Sequence, residues 1–242
     1  MKIYKYRDFS NPSEEDYRRL EASIHRLMVW CAKPETLNDP QEFVWDCDYT
    51  PTPATPDLLT QVLVKARGRT PVAARAIAQI AVKRGRLEDI AKPVFIGMLE
   101  QCRNEIGLAC FGSAPNNDAL WQRYGGNGAG VCVEFDVPAD LLGTQLNWVQ
   151  YPERKHLHVD QLLRAYVDRA STQIIYDVAL LSKSSSWANE AEIRFVSQRH
   201  SIPVALDRAQ VTCVFLGDSL RPHVRARIEQ IAHPIPVANR RR

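Results

Sequence analysis

The sequence predicts an α+β fold with a largely antiparallel sheet, and two observations carry that reading. Strand-like and helix-like segments do not alternate along the chain as β-α-β-α, and most of the strand-like segments fall after a helical stretch rather than between helices. The 242 residues are 45% hydrophobic and 24% charged, the profile of a globular chain able to bury a core without staples.

The elements follow in order. "KIYKYRDF" alternates as a strand does. "SEEDYRRLEASIHRLMVWC" follows as a helix, with Ser13 as its cap and acidic residues in the first turn. In "LNDPQEF", Asp39 is placed to cap, Pro40 to open and Glu42 to close a capping box, so a short helix or turn is expected there. The proline-rich "YTPTPATPD" reads as a loop. From about residue 56 to 104 the periodicity is helical throughout, which gives a helical insert within a single domain spanning 1–242. "IGLACFG" and "GAGVCVEFDV" are β-branched and aromatic strands that bracket a short helix at "ALWQRY". A strand at "LNWVQY", a long amphipathic helical region over 159–183, strands at "EAEIRFVSQ" and "AQVTCVFLG", and a last helix at "SLRPHVRARIEQIA" complete the set. Residues 236–242, ending in three arginines, read as a flexible basic tail.

Composition narrows the function. The net charge of +3 is too small to mark a strongly basic nucleic-acid-binding surface. The six cysteines form no C-x-x-C pair and no zinc spacing, so they read as buried thiols of a reducing compartment. With no apolar run of membrane-spanning length and no leader-like start, the expectation is a cytoplasmic protein without a membrane partner. The signatures G-x-G-x-x-G, Walker lysine loop, H-E-x-x-H and G-x-S-x-G are absent.

Chemistry concentrates in "KSSSWANEAEIRFVSQ". On a strand Glu190, Glu192 and Arg194 would share one face while Ala191, Ile193 and Phe195 point inward. Two close carboxylates shift one another's proton affinity and can serve as an acid and base pair. The same spacing suits the solvent face of an edge strand, where glutamate and arginine deter aggregation. Arg7 closes the first strand and has the planar fork that holds phosphate or carboxylate. Ser113 ends a strand at "ACFGS", either as a ligand contact or as a turn serine. Trp121 and Tyr124 share a helical face, Trp121 suited to a core and Tyr124 open to either role. Asn38 and Asp39 could meet ligand hydroxyls, although capping accounts for Asp39. His156 and His158 lack metal-spaced partners and read as surface residues.

Taken in order, "YKYR", "LNDPQE", "ACFGS", "LWQRY", "GAGVCVEFD", "VQY", "KSSSWANEAEIRFV" and "VFLGDSL" resemble the bacterial domain of unknown function 2971 family nearly end to end. More distantly, Arg7 on a first strand, a serine closing a middle strand and E-x-E on a late strand resemble the arginine–serine–E-x-E pattern of ADP-ribosyltransferases. Gly112 stands where the family has its serine, with Ser113 one place on, and the S-T-S triplet of the transferases is absent. The resemblance implies a split sheet and an NAD-consuming enzyme, a bacterial toxin or phage-defence effector kept in check by an antitoxin or immunity protein. It implies that Arg7 holds the NAD phosphate or ribose, Ser113 supports the nicotinamide side, Glu192 binds the nicotinamide ribose and Glu190 orients an acceptor, protein or nucleic acid. Tyr4, Tyr6 or Tyr124 would stack on nicotinamide. Two other readings stand beside it: a non-catalytic domain binding a nucleotide or protein partner in the same cleft, and a nuclease effector using the carboxylates with a divalent metal, which the scarcity of further spaced acids weakens.

Overall fold

A computed structural model describes residues 1–39, 46–153, 156–168 and 173–240. In chain order the elements are β1 (Lys2–Asp8), α1 (Glu14–Arg26), β2 (Met28–Cys31), β3 (Asp46–Asp48), α2 (Thr55–Arg67), α3 (Pro71–Lys83), α4 (Leu87–Glu105), β4 (Gly107–Gly112), α5 (Asp118–Arg123) and β5 (Gly130–Asp136). They continue with β6 (Leu146–Trp148), β7 (His156–His158), α6 (Val159–Val167), α7 (Gln173–Leu180), β8 (Glu192–Ser197), β9 (Ile202–Ala205), β10 (Gln210–Leu216), α8 (Pro222–Ala232) and β11 (Val237–Asn239). The fold is mixed α+β with a mostly antiparallel sheet. Where one domain was expected, the chain divides into two compact units: Met1–Thr36 with Ile106–Val149 and Ser186–Arg242, and Leu37–Glu105 with Gln150–Ser185.

The first unit holds a seven-stranded sheet in the order β11-β10-β5-β1-β4-β8-β6, plus the pair β2-β9. Only β10 with β11 runs parallel in the large sheet. Register fixes its two faces. Tyr4 lies opposite Glu134 on β5 and Gly112 on β4, and Gly112 opposite Glu192 on β8, so these residues share one face. The other face carries Ile3, Val131, Val133, Phe135, Phe111 and Ile193. It packs on Tyr17, Leu20 and Ile24 of α1 and on Val224 and Ile228 of α8, giving the main core. On the Tyr4 face a smaller cluster forms from Tyr4, Tyr6, Cys132, Leu120 and Trp121. Trp121 is fully buried, its indole N–H donates to Pro115 O at 2.8 Å, and Tyr6 meets it edge-on at 5.4 Å between ring centroids.

The sheet opens between β1 and β4. Their pairing is confined to Tyr4 opposite Gly112, and further along β4 the exchange of backbone bonds is with Ala32, just beyond β2. Lys5 fills the gap, its ammonium donating to Cys110 O at 2.8 Å and lying over the Phe111 ring. Desolvation there lowers the Lys5 pKa, with the Cys110 thiol opposing the shift.

Helix α1 starts as expected. Ser13 accepts the Asp16 N–H while the Asp16 carboxylate accepts the Ser13 N–H, a capping box. Ser13→Ala is expected to cost about 1 kcal/mol in urea unfolding, with an unchanged m-value. The helix ends earlier than its apolar pattern suggested: Leu27 takes a left-handed conformation, φ 55°, and "MVWC" becomes β2. Part of the expected tail, up to Arg240, belongs to the fold. Val237–Asn239 pairs with β10, and Arg240 lies over the Trp121 ring and bridges to Asp118.

Glu134 is buried at the centre of the Tyr4 face. Its carboxylate accepts from Lys2 Nζ at 2.6 Å, Tyr4 OH at 3.0 Å and Thr212 Oγ1 at 2.6 Å. Burial alone would raise its pKa, but these donors outweigh it and hold the group below the ordinary carboxylate value. The depressed pKa contributes stability that is present above about pH 4.3 and is lost as pH falls through the folded-state value. Glu134→Gln is therefore expected to lower stability at pH 7 and to flatten the acid limb, so that in urea titrations the gap between wild type and variant begins to close as pH falls below about 4.3 and has closed below the folded-state pKa of Glu134.

In the second unit, α2, α3, α4 and α6 bury Leu59, Val62, Leu63, Ala74, Ala78, Val159 and Leu163 against one another. The helical insert expected over 56–104 is present as α2 to α4. Parallel β3 and β7 pair beside it. His158 caps α6 through Nδ1, which accepts the Asp160 N–H at 3.1 Å. Asp160 accepts from Thr55 Oγ1 at 2.6 Å and Thr52 Oγ1 at 2.5 Å, which ties α6 to the start of α2. The helix or turn expected at Pro40–Glu42 lies outside the described residues.

Candidate functional site

The two glutamates sit where β8 begins. The strand starts at Glu192, while Glu190 ends a 3-10 turn over Ser185–Glu190, and Ala191 between them has φ 45°. A left-handed non-glycine residue breaks strand alternation, so the expected row of three charges on one face is corrected to two, Glu192 and Arg194. The solvent-face reading is also overturned. β8 lies between β4 and β6, and the exposures of Glu190, Glu192 and Arg194 are 1%, 3% and 0%.

Each carboxylate has its own arginine. Arg194 Nε donates to Glu192 Oε1 at 2.8 Å and its Nη2 to Oε2 at 3.4 Å, a two-pronged contact inside the sheet. The Cys110 thiol, opposite Arg194 in register, is also hydrogen-bonded to Glu192, and burial pushes it up to about 12. Glu190 Oε1 accepts from Arg123 Nη1 at 3.0 Å and from Tyr124 OH at 3.1 Å. Arg123 in turn lies over the Trp187 ring, 4.4 Å from its centroid.

The turn that presents Glu190 is pinned by Asn117. Its side-chain oxygen caps α5 by accepting the Leu120 N–H at 3.2 Å. Its amide donates to Asn189 O at 2.7 Å and Glu190 O at 3.3 Å. One side chain thus fixes the end of α5 and the approach to β8 together. Apolar spacing in the sequence does not mark Arg123, Asn117 or Trp187 as site residues. The quoted stretches "LWQRY" and "SSSWANE" contain Arg123 and Trp187, but a pattern of apolar spacing does not show that an arginine on a six-residue helix folds back on a tryptophan.

The other expected residues are placed as follows. Tyr124 reaches Glu190 by its hydroxyl. Tyr6 is buried on the same sheet face as Glu192, its hydroxyl donating to Ala114 O at 2.5 Å, with its pKa raised chiefly by desolvation. Ser113 is half-buried directly after Gly112. At Gly112 the space is tight, since a Cβ would press on Leu120 Cδ1 and stand 3.2 Å from the Tyr6 ring. Asn38 belongs to the second unit.

Arg7 does not join this group. With Tyr4 opposite Gly112, it stands four strand positions from Ser113, about 13 Å along the sheet. By alternation it faces away from Tyr4, Tyr6 and Glu192. Its guanidinium instead bonds Ser23 Oγ at 3.2 Å and lines a pocket with α1, β2 and β9.

Chemically, the constellation presents two buried carboxylates, one in a two-pronged contact with Arg194 within the sheet and one on a pinned turn beside Arg123 and a tyrosine hydroxyl. Among the described residues, no three His, Cys, Asp or Glu side chains converge as metal ligands, and no helix is long and apolar enough to cross a membrane. No protein-family model matches the chain, and no curated protein or solved structure matches it.

Proposed function

We propose that the chain breaks the nicotinamide–ribose bond of NAD and passes the ADP-ribosyl group to an acceptor or to water. The observation that carries this reading is the pair Glu190 and Glu192, both buried, each held by its own arginine, at the head of a strand beside β4. Adjacency of β4 and β8 supports it by bringing Ser113, which follows β4, to the strand that begins at Glu192.

The chemistry suits these groups. Loss of nicotinamide develops positive charge on the ribose, and a fixed carboxylate stabilises that charge more in the transition state than in the ground state. Glu192 is the fixed one, held by the two-pronged contact with Arg194. Glu190, on the turn with Tyr124, is placed to accept the proton of the attacking hydroxyl or water. Arg7 is left outside this assignment.

The test is direct. The protein is incubated with NAD labelled separately on nicotinamide and on adenine, and free nicotinamide and adenine label on lysate protein or nucleic acid are followed. Nicotinamide release above the blank is expected, and the absence of both NAD binding and turnover overturns the reading.

A further inference from the structure

We propose that the pocket between α1, β1 and β2 is an anion site that binds the phosphate of a mononucleotide-sized ligand, separately from the Glu190 and Glu192 group. This goes beyond the proposed NAD chemistry and does not depend on it.

The pocket has a volume of about 220 Å³ and brings Arg7, Arg18, Arg19 and Arg26 together with Glu15 and Trp30. Helical spacing explains how α1 contributes so many of them. Positions 15, 18, 19, 22 and 26 recur at three or four residues and so form one stripe, with the small Ala22 leaving the floor open.

Four guanidinium groups face one carboxylate. Glu15 is already engaged, by Arg19 Nε at 2.9 Å and by Arg18 Nη1 at 3.7 Å. The nearby Asp16 is committed to the cap, accepting from Ser13 N at 2.8 Å and Ser13 Oγ at 2.6 Å. Among the described residues Arg7 hydrogen-bonds only the neutral Ser23, and its Nε is buried without an acceptor. An enclosed donor of that kind is costly until an acceptor arrives. Burial, with Arg19 adding to it and Asp16 opposing, lowers the Arg7 pKa to about 10. That is the direction a cation takes when its counter-ion is missing.

The shape narrows the anion. Arginine forks match phosphate oxygens in pairs. The pocket is larger than a phosphate alone, and its remaining wall is Met28, Trp30 and Pro203, with Trp30 opposite Pro203 across β2 and β9. Arg19 already lies over the Trp30 ring at 4.2 Å, which holds that guanidinium at the pocket edge. A phosphate carried on a nucleoside satisfies both halves, its phosphate on the arginines and its sugar or base on the apolar wall.

Calorimetry of the full chain with AMP, inorganic phosphate and adenosine tests this, at low and at moderate salt. AMP is expected to bind, inorganic phosphate to bind more weakly and adenosine not to bind measurably, with AMP affinity falling as salt rises. Arg18 and Arg26 are exposed, so Arg18→Gln/Arg26→Gln is expected to keep the fold and to weaken AMP about tenfold or more. Single Arg26→Gln gives an intermediate loss if the double variant melts early. The proposal is overturned if adenosine binds as well as AMP, if no ligand binds, or if the arginine variants bind AMP as wild type does. It is equally overturned if Glu192→Gln, and not the arginine changes, abolishes AMP binding.

Discussion

Arg194→Met is expected to destabilise the protein by about 3–5 kcal/mol, measured by urea unfolding. Arg194 is wholly inaccessible in the middle of the sheet, and its guanidinium meets both oxygens of the equally buried Glu192. Removing the cation takes the two-pronged partner from a buried carboxylate whose neighbours include the Cys110 thiol and the Lys5 ammonium. The cost is that of removing one partner of a buried ion pair, not of one lost hydrogen bond. Replacing both partners, as Arg194→Met/Glu192→Gln, is expected to recover at least half of the loss, because no net charge then remains to be buried. A double variant as unstable as the sum of the singles would mean that the two residues are not energetically coupled.

Where the sequence was legible, the information was local. β1, β4, β5, β8 and β10 alternate or run apolar within a few residues, and α1 announces itself by Ser13 and its acidic first turn. β2 was hidden because "LMVWC" continues the apolar spacing of α1, and the stop signal is a leucine in a conformation that glycine usually supplies. β9 contains Pro203, which argues against a strand until its role on a two-stranded pair is seen. β11 is three residues long and exists only through β10, so nothing within "VAN" marks it.

The candidate site divides the same way. That Glu192 and Arg194 share a face followed from strand alternation, and they form an ion pair. That Glu190 does not belong to that face depends on the backbone at Ala191, which no spacing rule anticipates. Alternation did carry one message that the resemblance obscured. Tyr6 and Arg7 are consecutive on β1, so they face opposite sides of the sheet and cannot hold the same small group from one strand. Burial of the glutamates was not legible at all, because whether β8 is central or an edge is decided by β6, a three-residue strand some forty positions earlier.

Glu192→Gln is expected to lower nicotinamide release from NAD by about 10²–10³-fold, the scale seen when one fixed electrostatic group is removed from a transition state. The substitution keeps the shape and one hydrogen-bond acceptor towards Arg194, so an early melting temperature and a lost activity can be separated. The control is Glu192→Asp, which restores the charge at a shorter reach. Partial recovery of turnover in the aspartate variant, at a stability no better than that of the glutamine variant, assigns the effect to charge at the sugar. Glu190→Gln is expected to act differently, because its carboxylate sits on the pinned turn with Arg123 and Tyr124 and not inside the sheet. Transfer to acceptor should fall more than NAD binding does, and nicotinamide release more than NAD affinity. Equal losses in NAD affinity for both variants would assign the two glutamates a shared binding role and remove the division of labour between a stabilising carboxylate and a proton acceptor.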